Sequence, residues 1–140
     1  MELADLYADI LQQAQTDLEP EGFTVLPTEP AQAPVTTKPC LWVQIVGYAN
    51  NRAGEPLGDA PTAPGDYRVD IRFVARAPKY PDYLQAYRWL NRCYDWSQQQ
   101  HIRRRTTYYA TIITGMAIRD EGELTVGEWT IQFRARGIRG

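Results

Sequence analysis

The chain has 140 residues, 44% of them hydrophobic and 23% charged, and a formal net charge of −2. These values suit one soluble globular domain and argue against wholesale disorder or two full domains. No apolar run approaches the roughly 20 residues of a membrane helix, and Met1–Asp5 lacks the basic start and apolar run of a secretory signal, so neither a membrane partner nor secretion is expected.

Residues 2–18 are predicted to form a helix. Leu3, Leu6, Tyr7, Ile10, Leu11, Ala14 and Leu18 share one stripe at helical spacing, with Asp5, Asp9, Gln12, Gln13 and Gln15 largely outside it. Pro20 stops the helix and Gly22 permits the turn after it. Phe23–Leu26 is a short predicted strand. Residues 27–39 carry four prolines, which lack the donor a ladder needs, so they are read as an extended connector. Residues 40–48 are apolar on both faces. That suits a strand covered on both sides, by the helix on one and by a partner on the other.

Residues 47–66 contain four glycines, three prolines, Asn50 and Asn51, and are predicted to be a long loop. It is read either as a hairpin arm or as a segment ordered by a partner. Residues 67–76 alternate as a strand: Tyr67, Val69, Ile71, Phe73 and Ala75 face one way, and Arg68, Asp70, Arg72 and Arg76 the other, with Val74 the exception. Pro78 and Pro81 end this strand and open a helix over residues 82–100, with Leu84, Tyr87, Leu90, Cys93 and Tyr94 as its stripe and Tyr83, Trp89 and Trp96 widening it. Residues 106–118 are a predicted strand with a bulge or break at Gly115. A turn at 119–123 leads to a last strand, 126–136, with Trp129, Ile131, Phe133 and Ala135 facing in and Thr130, Gln132, Arg134 and Arg136 facing out. The strands 41–46 and 67–76 follow one another without a helix and are expected to pair antiparallel. The expected fold class is α+β: a mostly antiparallel β-sheet with two helices packed on it, in a single domain over residues 1–140.

Little in the sequence suggests catalysis. No nucleophile elbow, phosphate loop, dinucleotide fingerprint or paired-histidine zinc motif occurs. His101 has no second histidine to work with, and Cys40 and Cys93 are read as buried small hydrophobes in a reducing compartment, with a disulfide between them left open. Asp120, Glu121 and Glu123 crowd a turn that is read as solvated, with cation binding as the alternative. No enzyme activity, cofactor or metal is expected.

Charge is distributed unevenly. Residues 1–66 hold ten acids and two bases, and residues 67–140 hold thirteen bases and seven acids. Such halves can fold together, meet another copy head to tail, or simply be solvated. Arg103, Arg104 and Arg105 form the densest run. They suit phosphate contact, with Trp96, Tyr108 and Tyr109 near enough in sequence for base stacking. Against this, the pI of about 5.4 is low for a nucleic-acid-binding domain, so an inter-subunit ion-pair patch or a solvated turn is preferred. Four tryptophans and nine tyrosines are many for this length. Trp42 and Val46 lie opposite Leu41, Val43 and Ile45 on their strand, so one face needs a cover, which favours self-association.

The element order resembles the tail terminator proteins of long-tailed bacteriophages and of phage-like tail machines. The likeness rests on the helix Leu3–Leu18, the proline-led strand Pro39–Val46, the long Gly-rich loop before Tyr67–Ala75, the proline-opened helix Pro81–Trp96 and the closing strand Gly127–Phe133. It covers nearly the whole chain, as element order and spacing without a sharp motif. The Arg-rich second half departs from it. The resemblance implies a homo-oligomeric ring, as a hexamer, that caps the tail tube, stops its growth and offers a docking face to the head. It implies the tail tube protein and head–tail connector proteins as partners, assembly in the host cytoplasm, and residence at the head-proximal end of the virion tail. Candidate inter-subunit or lumen contacts are Arg68, Arg72, Arg76, Arg103, Arg104, Arg105, Asn50, Asn51 and Arg52, with non-specific DNA contact in the lumen compatible with the role. A head–tail connector or minor tail protein, and a nucleic-acid module built on Arg103–Arg105, are the alternatives.

Overall fold

The computed structural model describes residues 3–30, 38–50, 66–99 and 106–137. The first helix, α1 (Leu3–Leu18), buries Leu6, Ile10, Ala14 and Leu18. A short 3₁₀ turn (Glu19–Glu21) follows, and Gly22 closes it in the left-handed region at φ 103°. There its N–H donates to the Glu19 carbonyl, and the Phe23 N–H donates to the Leu18 carbonyl. The strand predicted at 23–26 shrinks to β1 (Thr24–Val25), which runs parallel to β2 (Cys40–Asn50).

β2 and β3 (Asp66–Pro78) pair antiparallel, as their uninterrupted order suggested. Both run further than the sequence pattern indicated, so residues 47–50 belong to a strand and not to the loop. β2 slips register between Ile45 and Gly47, with Val46 as the extra residue. Gly47 leaves room at this bulge for the Asp70 side chain: an added Cβ would lie 2.5 Å from Asp70 Oδ2, and the carboxylate would have to shift.

Helix α2 (Tyr83–Gln98) starts at Asp82, whose carboxylate accepts from the Gln85 N–H at 3.1 Å. Its buried stripe is Ala86, Leu90, Cys93, Trp96 and Ser97. This corrects the predicted stripe, because Leu84 and Tyr87 are exposed. Ala86, Cys93 and Ser97 face the sheet together with Leu90 and Trp96, which turns Leu84 and Tyr87 toward solvent.

The strand predicted at 106–118 is broken into β4 (Thr106–Ile113) and β5 (Ala117–Glu121), both paired with β6 (Leu124–Gly137). At the break, Thr114 donates its N–H to the Thr130 carbonyl and its hydroxyl accepts from the Thr130 N–H. The turn expected over 119–123 narrows to Gly122 and Glu123, with Gly122 at φ 61°. The six strands form one mostly antiparallel sheet in the order β1-β2-β3-β6-β4, with β5 beside β4 along β6. The fold is α+β.

Both helices pack on one face of the sheet. Phe73 stacks on Trp129 at 5.7 Å and meets Trp96 edge-on at 6.3 Å. The indole N–H groups are satisfied in this core: Trp129 donates to Ser97 Oγ at 2.8 Å and Trp96 to Asp17 Oδ2 at 2.9 Å. Cys93 lies in this core and Cys40 in a smaller cluster on the opposite face, so the two are free thiols held apart by the sheet, each made less acidic by burial. Among the described residues no helix is long and apolar enough to cross a membrane.

Candidate functional site

The face of the sheet away from the helices is polar, and β3 dictates its composition. Arg68, Asp70, Arg72, Val74 and Arg76 alternate with core residues, so two-residue periodicity places all of them on this face. β6 supplies their cross-strand neighbours: Arg134 opposite Arg68, Gln132 opposite Asp70, Thr130 opposite Arg72, Glu128 opposite Val74 and Val126 opposite Arg76.

The arginines are largely engaged. Arg72 donates from Nε to Glu128 Oε1 at 2.5 Å and from Nη1 to Gln44 Oε1 at 3.2 Å. The other oxygen of Glu128 accepts from Arg119 Nη1 at 3.2 Å. Arg119 also approaches Glu121 at 3.7 Å, and Glu121 pairs with Arg76 at 2.9 Å. A chain of side chains therefore crosses four strands, from Gln44 through Arg72, Glu128, Arg119 and Glu121 to Arg76. The bond from Arg72, joined by Arg119, holds the Glu128 carboxyl below its ordinary range, and Glu128 in turn raises Arg72.

Arg76 is 6% exposed, and its guanidinium lies over the Trp42 ring at 4.7 Å. With Leu26, Val74 and Val126 it closes the small cluster around Trp42. The cover expected from a partner is thus largely supplied within the chain. Arg76 Nε and Nη1 and Trp42 Nε1 are buried without hydrogen-bond partners. Arg76 is accordingly a structural lid and not an accessible contact.

The other candidate residues separate by position. Arg68 is exposed, 3.8 Å from Asp70, and faces the exposed Arg134 across β3 and β6. Asn50 ends β2 opposite Tyr67. Asn51, Arg52, Arg103, Arg104 and Arg105 lie outside the described residues, as do His101 and most of the predicted loop 47–66. Topology nonetheless brings their neighbours in sequence together: Asn50, Asp66, Thr106 and Gly137 all lie at the same end of the sheet. Opposed arginines at that end repel one another, which favours an anionic neighbour.

Of the turn acids, Asp120 and Glu121 have protein donors. Asp120 accepts from the Tyr83 hydroxyl at 2.7 Å and from Thr125 Oγ1 at 3.0 Å, which lowers its pKa. The sequence reading missed Glu128, Arg119 and Gln44. Glu128 continues the outward alternation of Thr130, Gln132 and Arg134, so assuming that the last strand pairs with 67–76 would have revealed it. No protein-family model matches the chain, and no curated protein matches it.

Proposed function

We propose that the protein is a structural assembly protein that forms a ring and caps a phage-type tail tube, halting tube growth and presenting a surface to head–tail connector proteins. The observation that supports this reading most is the polar face of the sheet, on which no helix packs among the described residues. Its side chains are tied to one another in a lattice of arginines and carboxylates that crosses four strands, as suits the wall of a passage. Tube protein and connector would be its partners, the virion tail its place, and the host cytoplasm the site of assembly. The test is the mass of the purified protein by light scattering over a concentration series. Six copies of a 16.0 kDa chain give about 96 kDa. That mass, with rings under the electron microscope, supports the reading; a monomer at every concentration counts against a self-assembling ring.

A second reading is a nucleic-acid module. It is favoured by the exposed Arg68 and Arg134 at the sheet end where Thr106 follows Arg103–Arg105. It requires binding that weakens steeply with salt and disappears when Arg103, Arg104 and Arg105 are all changed to alanine.

A further inference from the structure

Among the described residues the sheet has two open edges that are unusually unprotected. β1 reaches only Cys40 and Leu41, so from Val43 to Gly47 no described strand lies beside the outer side of β2. On the far side, among the described residues, β4 pairs only with β6. Proteins usually guard such edges with charge, proline or very short strands. β5 is guarded by Arg119, Asp120 and Glu121, and β1 by its length and by Pro27. β4 and the stretch from Val43 to Asn50 contain neither charge nor proline. Val46 is 52% exposed and Ile112 58%. A cleft of about 330 Å³ borders β2 from Trp42 to Ile45, walled on its other side by Tyr7 and Pro27–Glu29.

The two edges also match each other. Reading register across the sheet puts Ile45, Ile71, Ile131 and Ile113 at one level and on one face. The Leu41 carbonyl accepts from the N–H of Leu26, the residue after β1, so by alternation the Ile45 N–H and C=O point outward. Thr114 donates to β6, so those of Ile113 point outward as well. Each edge has one bulge, and both bulges adjoin the level shared by Gly47, Asp70, Gln132 and Ile112. β2 and β4 run in opposite directions, since β2, β3, β6 and β4 alternate. A copy rotated about an axis along the strands therefore meets its neighbour antiparallel, outward groups facing outward groups and bend against bend.

We infer that β2 of one copy pairs antiparallel with β4 of the next, Ile45 opposite Ile113, continuing the sheet from subunit to subunit. This rests on the ring reading above and specifies its contact. The interface is heterologous, one edge meeting a different edge, which forms a ring where the rotation between copies closes and a filament where it does not.

The test uses the full chain carrying both Ile45→Cys and Ile113→Cys. Opposed residues at a hydrogen-bonded pair sit about 5.5 Å apart, within disulfide range. Oxidation is expected to give a ladder of covalent oligomers on a non-reducing gel, while neither single variant gives more than a trace. Ile113→Lys is expected to bring the mass in light scattering down toward 16.0 kDa with unchanged circular dichroism, while Ile118→Lys on β5 leaves the oligomer intact. An oligomer that survives Ile113→Lys and yields no cross-link overturns the edge pairing and leaves the ring standing. A wild-type monomer at all concentrations overturns both.

Discussion

The two faces of the sheet are built from the same three long strands and held by opposite means. The helix-bearing face buries Phe73, Trp129, Ile131 and Phe133 under α1 and α2. The free face buries a small cluster of Cys40, Trp42, Val74 and Val126 under Arg76 and ties its remaining side chains largely by charge. Apolar burial needs a cover and is not weakened by ionic screening, whereas an ion-pair lattice tolerates water and can stand without a cover. The difference explains how, among the described residues, one whole sheet face stands without a helix.

The largest expected effect is on the covered face. Trp129→Ala removes the ring stacked on Phe73 and the partner of Ser97 Oγ. It should cost about 3–5 kcal/mol, measured by urea denaturation. A loss under about 1 kcal/mol would mean that this face is not the core.

On the free face, Arg76 separates packing from charge. Arg76→Ala uncovers Trp42 and strands Glu121 with only Arg119, and should cost about 2–3 kcal/mol. Arg76→Met keeps the cover and removes the two buried, unpartnered N–H groups. It should fall within about 1 kcal/mol of wild type. Equal losses in both variants would assign the arginine's role to its charge.

Much of this contrast was legible in the sequence. The alternation of β3 and β6 named their core residues, and the apolar stripe of Leu6, Ile10, Ala14 and Leu18 placed α1. The orientation of α2 was only partly legible: Leu90 and Cys93 were in the predicted stripe, but Leu84 and Tyr87 fit a helical stripe as well as Ala86 and Ser97 do, and only contact with the sheet chooses between them. The bulge at Val46 was hidden because an inserted apolar residue does not disturb an apolar run. The arginines of the candidate site were visible, but their partners were not: Glu128 lies 56 residues from Arg72, and nothing local joins them.

Glu128→Gln should cost about 1–2 kcal/mol, since the carboxylate is partly shielded and holds two arginines. The sign with pH follows. Its folded pKa lies below the ordinary 4.5, so its contribution is present above that value and is lost as pH falls through the lower folded one. Stability should drop between neutral pH and acid, and the Gln variant should drop less. Parallel pH curves for the two proteins would remove Glu128 from the lattice.

Glu21 makes the smallest and most instructive case. It accepts two bonds from Arg92, at 2.8 and 2.7 Å, and its carboxyl too is held below the ordinary range, first by that bond. By geometry alone it should rival Glu128. Both partners are open to water, however, at 39% and 43% side-chain exposure, and solvent screens such a pair. Glu21→Gln should therefore cost no more than about 0.5 kcal/mol, and less still in high salt. Measured beside Glu128→Gln in the same buffer, it asks whether hydrogen-bond geometry or shielding from water sets the strength of an ion pair here. Equal costs would favour geometry, and the free face would then owe its stability to bond directions and not to the neighbouring strands that enclose it.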